Sequence, residues 1–229
     1  MTGMLASINS LQEARLIENL AIDIIDLKQP AQGALGALPA TTIRQIVEQV
    51  GPHNTLSATI GDLPMQPDII LDAIKTIGDT GVDYVKMGFF PADDYRAVLS
   101  ALADISQQYQ LIAVLFADTQ PDLSIIQPLA ETGFKGVMLD TMDKNCGSLT
   151  DVMSMETIRL FVSQARQNSL LTGLAGSLRA RHIEMLMPLK PDYLGFRGAL
   201  CQQHQRQQHL DVSKAKALQS RFHTDTVCC

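Results

Sequence analysis

The stretch DIIDLKQPAQGALGALP, residues 23–39, decides how the rest of the chain is read. Residues 23–28 form a short apolar run that closes on Asp26 and Lys28. A loop with two prolines and two glycines follows, and residues 41–50 then fall into a helical period. A run too short for a helix, bounded by loop residues and followed by an amphipathic segment, is the pattern of a strand that feeds a helix.

The same unit recurs along the chain. Strand-like runs fall at 4–8, 23–28, 55–61, 84–89, 111–117, 136–141, 170–176 and 193–198. Helical periods occupy 41–50, 67–78, 93–109, 122–132, 154–168 and 179–187, and 212–222 can supply a last helix. Within 93–109, Val98, Leu99, Leu102 and Ile105 gather on one face. The strand runs are nearly continuous in hydrophobicity, as strands of a parallel sheet are when helices cover them. Eight such units in 229 residues predict an α/β chain that is a single (β/α)8 TIM barrel over 1–222, with a short tail at 223–229. An open doubly wound sheet would need fewer strands, and a dinucleotide site a G-x-G-x-x-G turn after the first one. Nothing of that kind follows residues 4–8.

Composition narrows the function classes. The chain is 46% hydrophobic and 18% charged, with a net charge of −6 and no basic block, which argues against a nucleic-acid partner. No apolar run approaches the ~20 residues of a membrane span. The start, MTGMLASINS, lacks the basic and apolar regions of a secretory signal, so a cytoplasmic protein is expected. The four cysteines, Cys146, Cys201, Cys228 and Cys229, contain no C-x-x-C pair, so no metal site is expected. Cys146 reads as structural and Cys228–Cys229 as a frayed tail. His204, His209 and His223 lie in a polar region where a solvated surface is the default.

A barrel of this kind builds its site from the carboxyl ends of its strands. Those ends carry Asp26 and Lys28, then Thr59, Gly61 and Asp62, then Lys86, Asp118, and Asp140 with Lys144 shortly after. Strand side chains alternate, so Asp26 and Lys28 share a face, with Asp26 one layer down. Lys86, two strands away, can enter the same space. Three lysines and several carboxylates are costly to bury unless paired or used. A lysine among other cations, partly desolvated, has a depressed pKa and can attack an aldehyde or ketone to form an imine. A second lysine or an aspartate then moves the protons. By position alone, Lys28 and Lys86 are both candidates for the imine. The turns GLAGSLR (173–179) and GFRGAL (195–200) stand where barrels bind phosphate. Gly173, Gly176 and Gly198 would let backbone N–H groups approach an anion, and Ser177 and Arg197 would add side-chain donors.

Six segments, DIIDLKQPAQGALGALP, SATIGD (57–62), DYVKMGF (83–89), LDTMDKNCGSL (139–149), GLAGSLR and PDYLGFRGALC (191–201), resemble the (5-formylfuran-3-yl)methyl phosphate synthases. This is the family that makes the furan precursor of methanofuran, and the resemblance covers about residues 4–201. It implies a (β/α)8 barrel that joins two glyceraldehyde 3-phosphate molecules with loss of phosphate and water, as a carbon–oxygen lyase. Lys28 would form the Schiff base and Lys86 would accept a proton. Asp26, Asp140 and Lys144 would assist proton transfer and substrate placement. No metal or organic cofactor is implied, and the expected partner is a small phosphorylated aldehyde. A homo-oligomer is compatible with a barrel.

Two other readings stay open at the level of sequence. One is a lysine aldolase acting on another small sugar phosphate. The other is a barrel that binds phosphorylated metabolites without turnover. DLK also matches the D-x-K of phosphate-binding decarboxylases, but the acidic residue expected three positions later is Ala31 here.

Overall fold

The computed structural model describes residues 1–91 and 95–222. Eight parallel strands close in sequence order into a barrel: β1 (Gly3–Ile8), β2 (Ile24–Leu27), β3 (Leu56–Thr59), β4 (Tyr84–Phe89), β5 (Leu111–Phe116), β6 (Gly136–Asp140), β7 (Leu171–Leu174) and β8 (Tyr193–Phe196). The helices packed outside are α1 (Leu11–Ile17), α2 (Ala40–Val50), α3 (Pro67–Gly78), α4 (Tyr95–Leu102), α5 (Ile126–Thr132), α6 (Leu149–Val152), α7 (Met155–Gln167), α8 (Ala180–Leu186) and α9 (Val212–Gln219). No helix among the described residues is long and apolar enough to cross a membrane. Residues 223–229, with His223 and the terminal cysteines, lie outside the described residues.

Alternation along the strands divides the core. Ile25 and Leu27 of β2, Val85 and Met87 of β4, and Leu111, Ala113 and Leu115 of β5 join the buried shell between barrel and helices. Residues of the opposite parity, Asp26 and Lys86 among them, face the barrel axis. Three strands are pinned at their entrances by the same device. Asp23, Asp83 and Asp192 stand just before β2, β4 and β8. Each accepts the backbone N–H of a residue in the preceding strand, Met4, Leu56 and Thr172 respectively, at 2.7 Å.

Three helices differ from expectation. The short α6 lies outside the expected helical segments, and so does α1, over 11–17. Ser10 caps this helix through a 3.2 Å bond from Glu13 N–H, while the Glu13 carboxylate accepts the Asn9 N–H at 3.0 Å. That S-x-x-E spacing is the capping-box signal, and it was present in the sequence. Of the helix expected over 93–109, residues 93 and 94 lie outside the described residues, and the observed helix spans Tyr95–Leu102. Ser106 Oγ donates to the Ala103 and Thr132 carbonyls, and Ile105–Gln107 tightens into a 3-10 turn. A serine hydroxyl that takes a backbone carbonyl competes with helix propagation there.

The Gly-rich loop after β2 folds back over the barrel mouth. Leu35, 1% exposed, packs with Ala34 against Phe116, Val114 and Met138 on the inner face of β5 and β6. Burying a leucine this way contributes ~2 kcal/mol. Gly33, with φ +107°, permits the turn, and its missing Cβ leaves room for the Asp62 carboxylate. That carboxylate accepts the N–H groups of Ala34 and Leu35, both at 2.8 Å. Thr59 Oγ1 adds a bond to the Gly36 carbonyl at 3.0 Å.

Candidate active site

The strand register sets Ser7, Asp26 and Ser57 side by side on β1, β2 and β3. All three point inward and meet. Asp26, fully buried, accepts Ser7 Oγ at 2.8 Å, Ser57 Oγ at 2.7 Å and Lys86 Nζ at 2.8 Å. Burial alone would push this carboxyl up. The charges of Lys86 and Lys28 and the hydrogen bonds outweigh it, and its pKa falls below the ordinary value. Lys86 is only 3% exposed, so this layer is a buried ion pair at the floor of the mouth.

A second layer lies above it. Lys144 Nζ is 2.6 Å from Asp140 Oδ1 and also donates to the carbonyl and hydroxyl of Thr141. Asp140 accepts the Thr141 N–H at 2.7 Å as well. Burial opposes ionisation of Asp140, but Lys144 and Lys28 prevail and hold its carboxyl well below the carboxylate range. Burial moves the Lys144 ammonium the other way, to a lowered pKa that Asp140 only partly restores. The β6–α6 loop separates Asp140 from Lys144 in the chain, and it is bent so that they touch. Asp118, at the end of β5, holds that bend by accepting the N–H groups of Met142 and Asp143 at 2.7 Å.

Lys28 is held more loosely, by a longer ion pair to Asp140. Its nearest carboxylate oxygen, on Asp140, is 3.6 Å away, and its Nζ donates no hydrogen bond among the described residues. It lies between the two layers and faces a cavity of about 290 Å³ at the carboxyl ends of the strands. Lys86, Asp26, Asp140 and Lys144 line the same cavity. The structure therefore brings all five candidate acid, base and amine residues into one space.

The phosphate-binding candidates divide. Gly176, Ser177 and Gly198 line the cavity, and Gly176 and Ser177 both take the left-handed backbone, with φ +107° and +49°. Gly173 does not belong with them. It sits inside β7, opposite Met138, where a Cβ would come within 2.7 Å of the Met138 side chain, so its role is to make room in the barrel interior. Arg197 also lines the cavity, but its guanidinium N–H groups are taken by the protein itself. Its guanidinium grips both oxygens of buried Glu13 and the carbonyls of Ser7, Arg206 and Gln208, which engages all five N–H groups. Its side chain is a brace.

Several residues of the site escaped the sequence reading. Ser7 and Ser57 carried a signal, a polar side chain at an inward position of an apolar strand. Arg179 and Arg206 line the cavity from loops, where no period marks them. Cys146, expected to be structural, is exposed and donates to Asp143. Cys201 is buried, with its thiol on the Arg197 carbonyl.

The profile of the 4-HFC-P synthase family matches residues 4–219. This chain belongs to the 4-HFC-P synthase family. The (5-formylfuran-3-yl)methyl phosphate synthase of Methanothermobacter thermautotrophicus is 32% identical over 213 residues, covering 88% of this chain and 89% of its own. The enzyme of the same name from Archaeoglobus fulgidus is 34% identical over 193 residues, 79% and 82% of the two chains. A relative from Methylorubrum extorquens reaches 41% over 213 residues, 92% and 87%. Among solved structures, phosphoribosyl anthranilate isomerase from Thermus thermophilus superposes with a TM-score of 0.70 at 16% identity, over 98% of this chain and 99% of that one. A 3-hexulose-6-phosphate synthase gives 0.63 at 16%, over 95% and 99%. These two likenesses concern the barrel. Membership of the 4-HFC-P synthase family makes the chain an enzyme.

Proposed function

We propose that the protein is a (5-formylfuran-3-yl)methyl phosphate synthase, a carbon–oxygen lyase that condenses two glyceraldehyde 3-phosphate molecules into a furan aldehyde phosphate for a methanofuran-type carrier. The observation that carries this reading is the position of Lys28, an amine without a hydrogen-bonded partner among the described residues, between two ion pairs at the cavity floor. Lys86 and Lys144 are each held by a carboxylate and suit proton transfer better than attack on a carbonyl.

In this mechanism Lys28 Nζ adds to the aldehyde carbon of the first molecule, and water leaves as the iminium forms. The iminium acidifies the neighbouring C–H, and Lys86 in its neutral form accepts that proton and becomes the ammonium that Asp26 holds. The resulting carbanion equivalent joins the second aldehyde. Asp140 and Lys144 serve the later protonations, in which one phosphate and water depart and the ring closes. Hydrolysis of the imine returns free Lys28. Three lysines against two aspartates leave an excess of positive charge, which suits a phosphorylated substrate.

Glyceraldehyde 3-phosphate supplied alone tests the reading. The synthase releases free phosphate and develops the absorbance of a furan aldehyde in equal amounts. A reversible aldol product without phosphate release would assign the site to an aldolase instead. Binding without any product would leave a metabolite-binding barrel.

A further inference from the structure

The segment after β8 carries a residue that the proposed chemistry has not yet used. Between Arg197 and Asp211 the sequence reads GALCQQHQRQQHL, and Arg206 is the one Lys, Arg, Asp or Glu in it. The backbone around it is held from below. Arg197 donates to the carbonyls of Arg206 at 2.8 Å and Gln208 at 3.2 Å, Glu13 accepts the Leu210 N–H at 3.0 Å, and Arg179 donates to the His204 carbonyl at 3.2 Å. Gln203 and His204 both take left-handed backbone, with φ 50° and 58°. Two consecutive non-glycine residues in that region are strained, and such strain persists only where the surroundings enforce it. The segment is thus fixed in place by groups that grip its backbone.

What this bracing presents is the Arg206 side chain. It is half-buried and lines the cavity beside Lys28, Asp140 and Lys144. Nη2 donates to the carbonyls of Pro30 and Gly33 across the mouth. Nε and Nη1 have no acceptor among the described residues. An arginine anchored through one nitrogen, with its other donors unengaged at the edge of a cavity, is prepared for a planar or tetrahedral oxyanion. Burial opposes its charge, and Asp140 and Asp62 favour it.

We propose that Arg206 is a substrate-recognition residue that receives a phosphate-ester dianion through its unengaged Nη1 N–H groups and so selects a phosphorylated aldehyde over its unphosphorylated counterpart. The proposal deepens the reading of the same cavity given above and rests on it for the identity of the aldehyde. It also gives the Pro30 and Gly33 contacts a consequence: they fix the guanidinium plane before the anion arrives.

The test uses the full chain with Arg206→Met and Arg206→Lys. Inorganic phosphate is titrated by calorimetry, which needs no imine. Wild type binds it, Arg206→Met weakens the affinity at least tenfold, and Arg206→Lys, which keeps the charge but not the anchored plane, falls between them. Borohydride trapping then compares glyceraldehyde 3-phosphate with glyceraldehyde. Arg206→Met lowers trapping of the phosphorylated aldehyde at least tenfold and leaves the unphosphorylated one within about twofold. Equal losses for both aldehydes would reduce Arg206 to a structural latch and overturn the proposal. So would phosphate binding that is absent in wild type or undiminished in Arg206→Met. Phosphate binding through Arg206 with no trapped imine in wild type would uphold the residue's role and refute the synthase mechanism.

Discussion

Replacing Asp26 by asparagine removes the charge at the centre of the lower layer while keeping its volume. The Ser7 and Ser57 hydroxyls can reorient toward the new amide, so the principal loss falls on Lys86. Its ammonium, 3% exposed and 2.8 Å from Asp26, would be left without a counter-charge. Breaking a buried pair by removing one partner costs about 3–5 kcal/mol. At the lower figure, and at about 2–4 °C per kcal/mol for a domain of this size, the melting midpoint falls by about 6–12 °C at pH 7. Thermal or urea unfolding at pH 7 reads the loss. Adding Lys86→Met removes the stranded charge, and the double variant should recover at least half of the loss. A single variant within about 1 kcal/mol of wild type at pH 7, or a double variant no more stable than the single one, would refute the account of this pair.

Two further outcomes follow from the same layers and from the loop above them. Asp26 and Asp140 both have lowered pKa values. Their stabilisation is complete above the unfolded aspartate value of about 3.9 and is lost as pH falls toward the folded values. The stability gap between wild type and Asp140→Asn should be constant from pH 7 to pH 5 and narrow below about pH 4, as read from urea midpoints. Gly33→Ala would place a Cβ 2.0 Å from Asp62 Oδ2 at a φ of +107°. It should lower stability by about 1–3 kcal/mol and expose the loop over 29–38 to limited proteolysis, whereas an unchanged midpoint would show that Asp62 does not hold that loop.

Much of this arrangement was legible because strands write their faces into the sequence. The two-residue spacing of Asp26 and Lys28 placed both on the inner wall, and the polar parity of β4 placed Lys86 there too. Helix positions followed from apolar period wherever packing against the barrel required it. What could not be read depended on loops. Arg197 looked like a phosphate donor because it follows a Gly-rich turn, but its partner Glu13 is 184 residues away, and the pairing appears only when the barrel closes β8 against β1. Gly173 looked like part of a turn because its strand begins and ends one or two residues from where the apolar run does. Asp62 and Asp118 share one role, holding a neighbouring loop through its N–H groups, which no local pattern announces. Arg206 had a faint signal as a single charge in a glutamine-rich stretch, and its place above the cavity comes from the brace beneath it.

The most direct test of the account is to trap the imine. The protein is incubated with glyceraldehyde 3-phosphate and borohydride, digested, and mapped by peptide mass spectrometry, with Lys28→Met as the control. The account predicts one adduct, on Lys28, absent from the folded control. An adduct on Lys86 or Lys144 with Lys28 unmodified, or no adduct on any of the three, would contradict it.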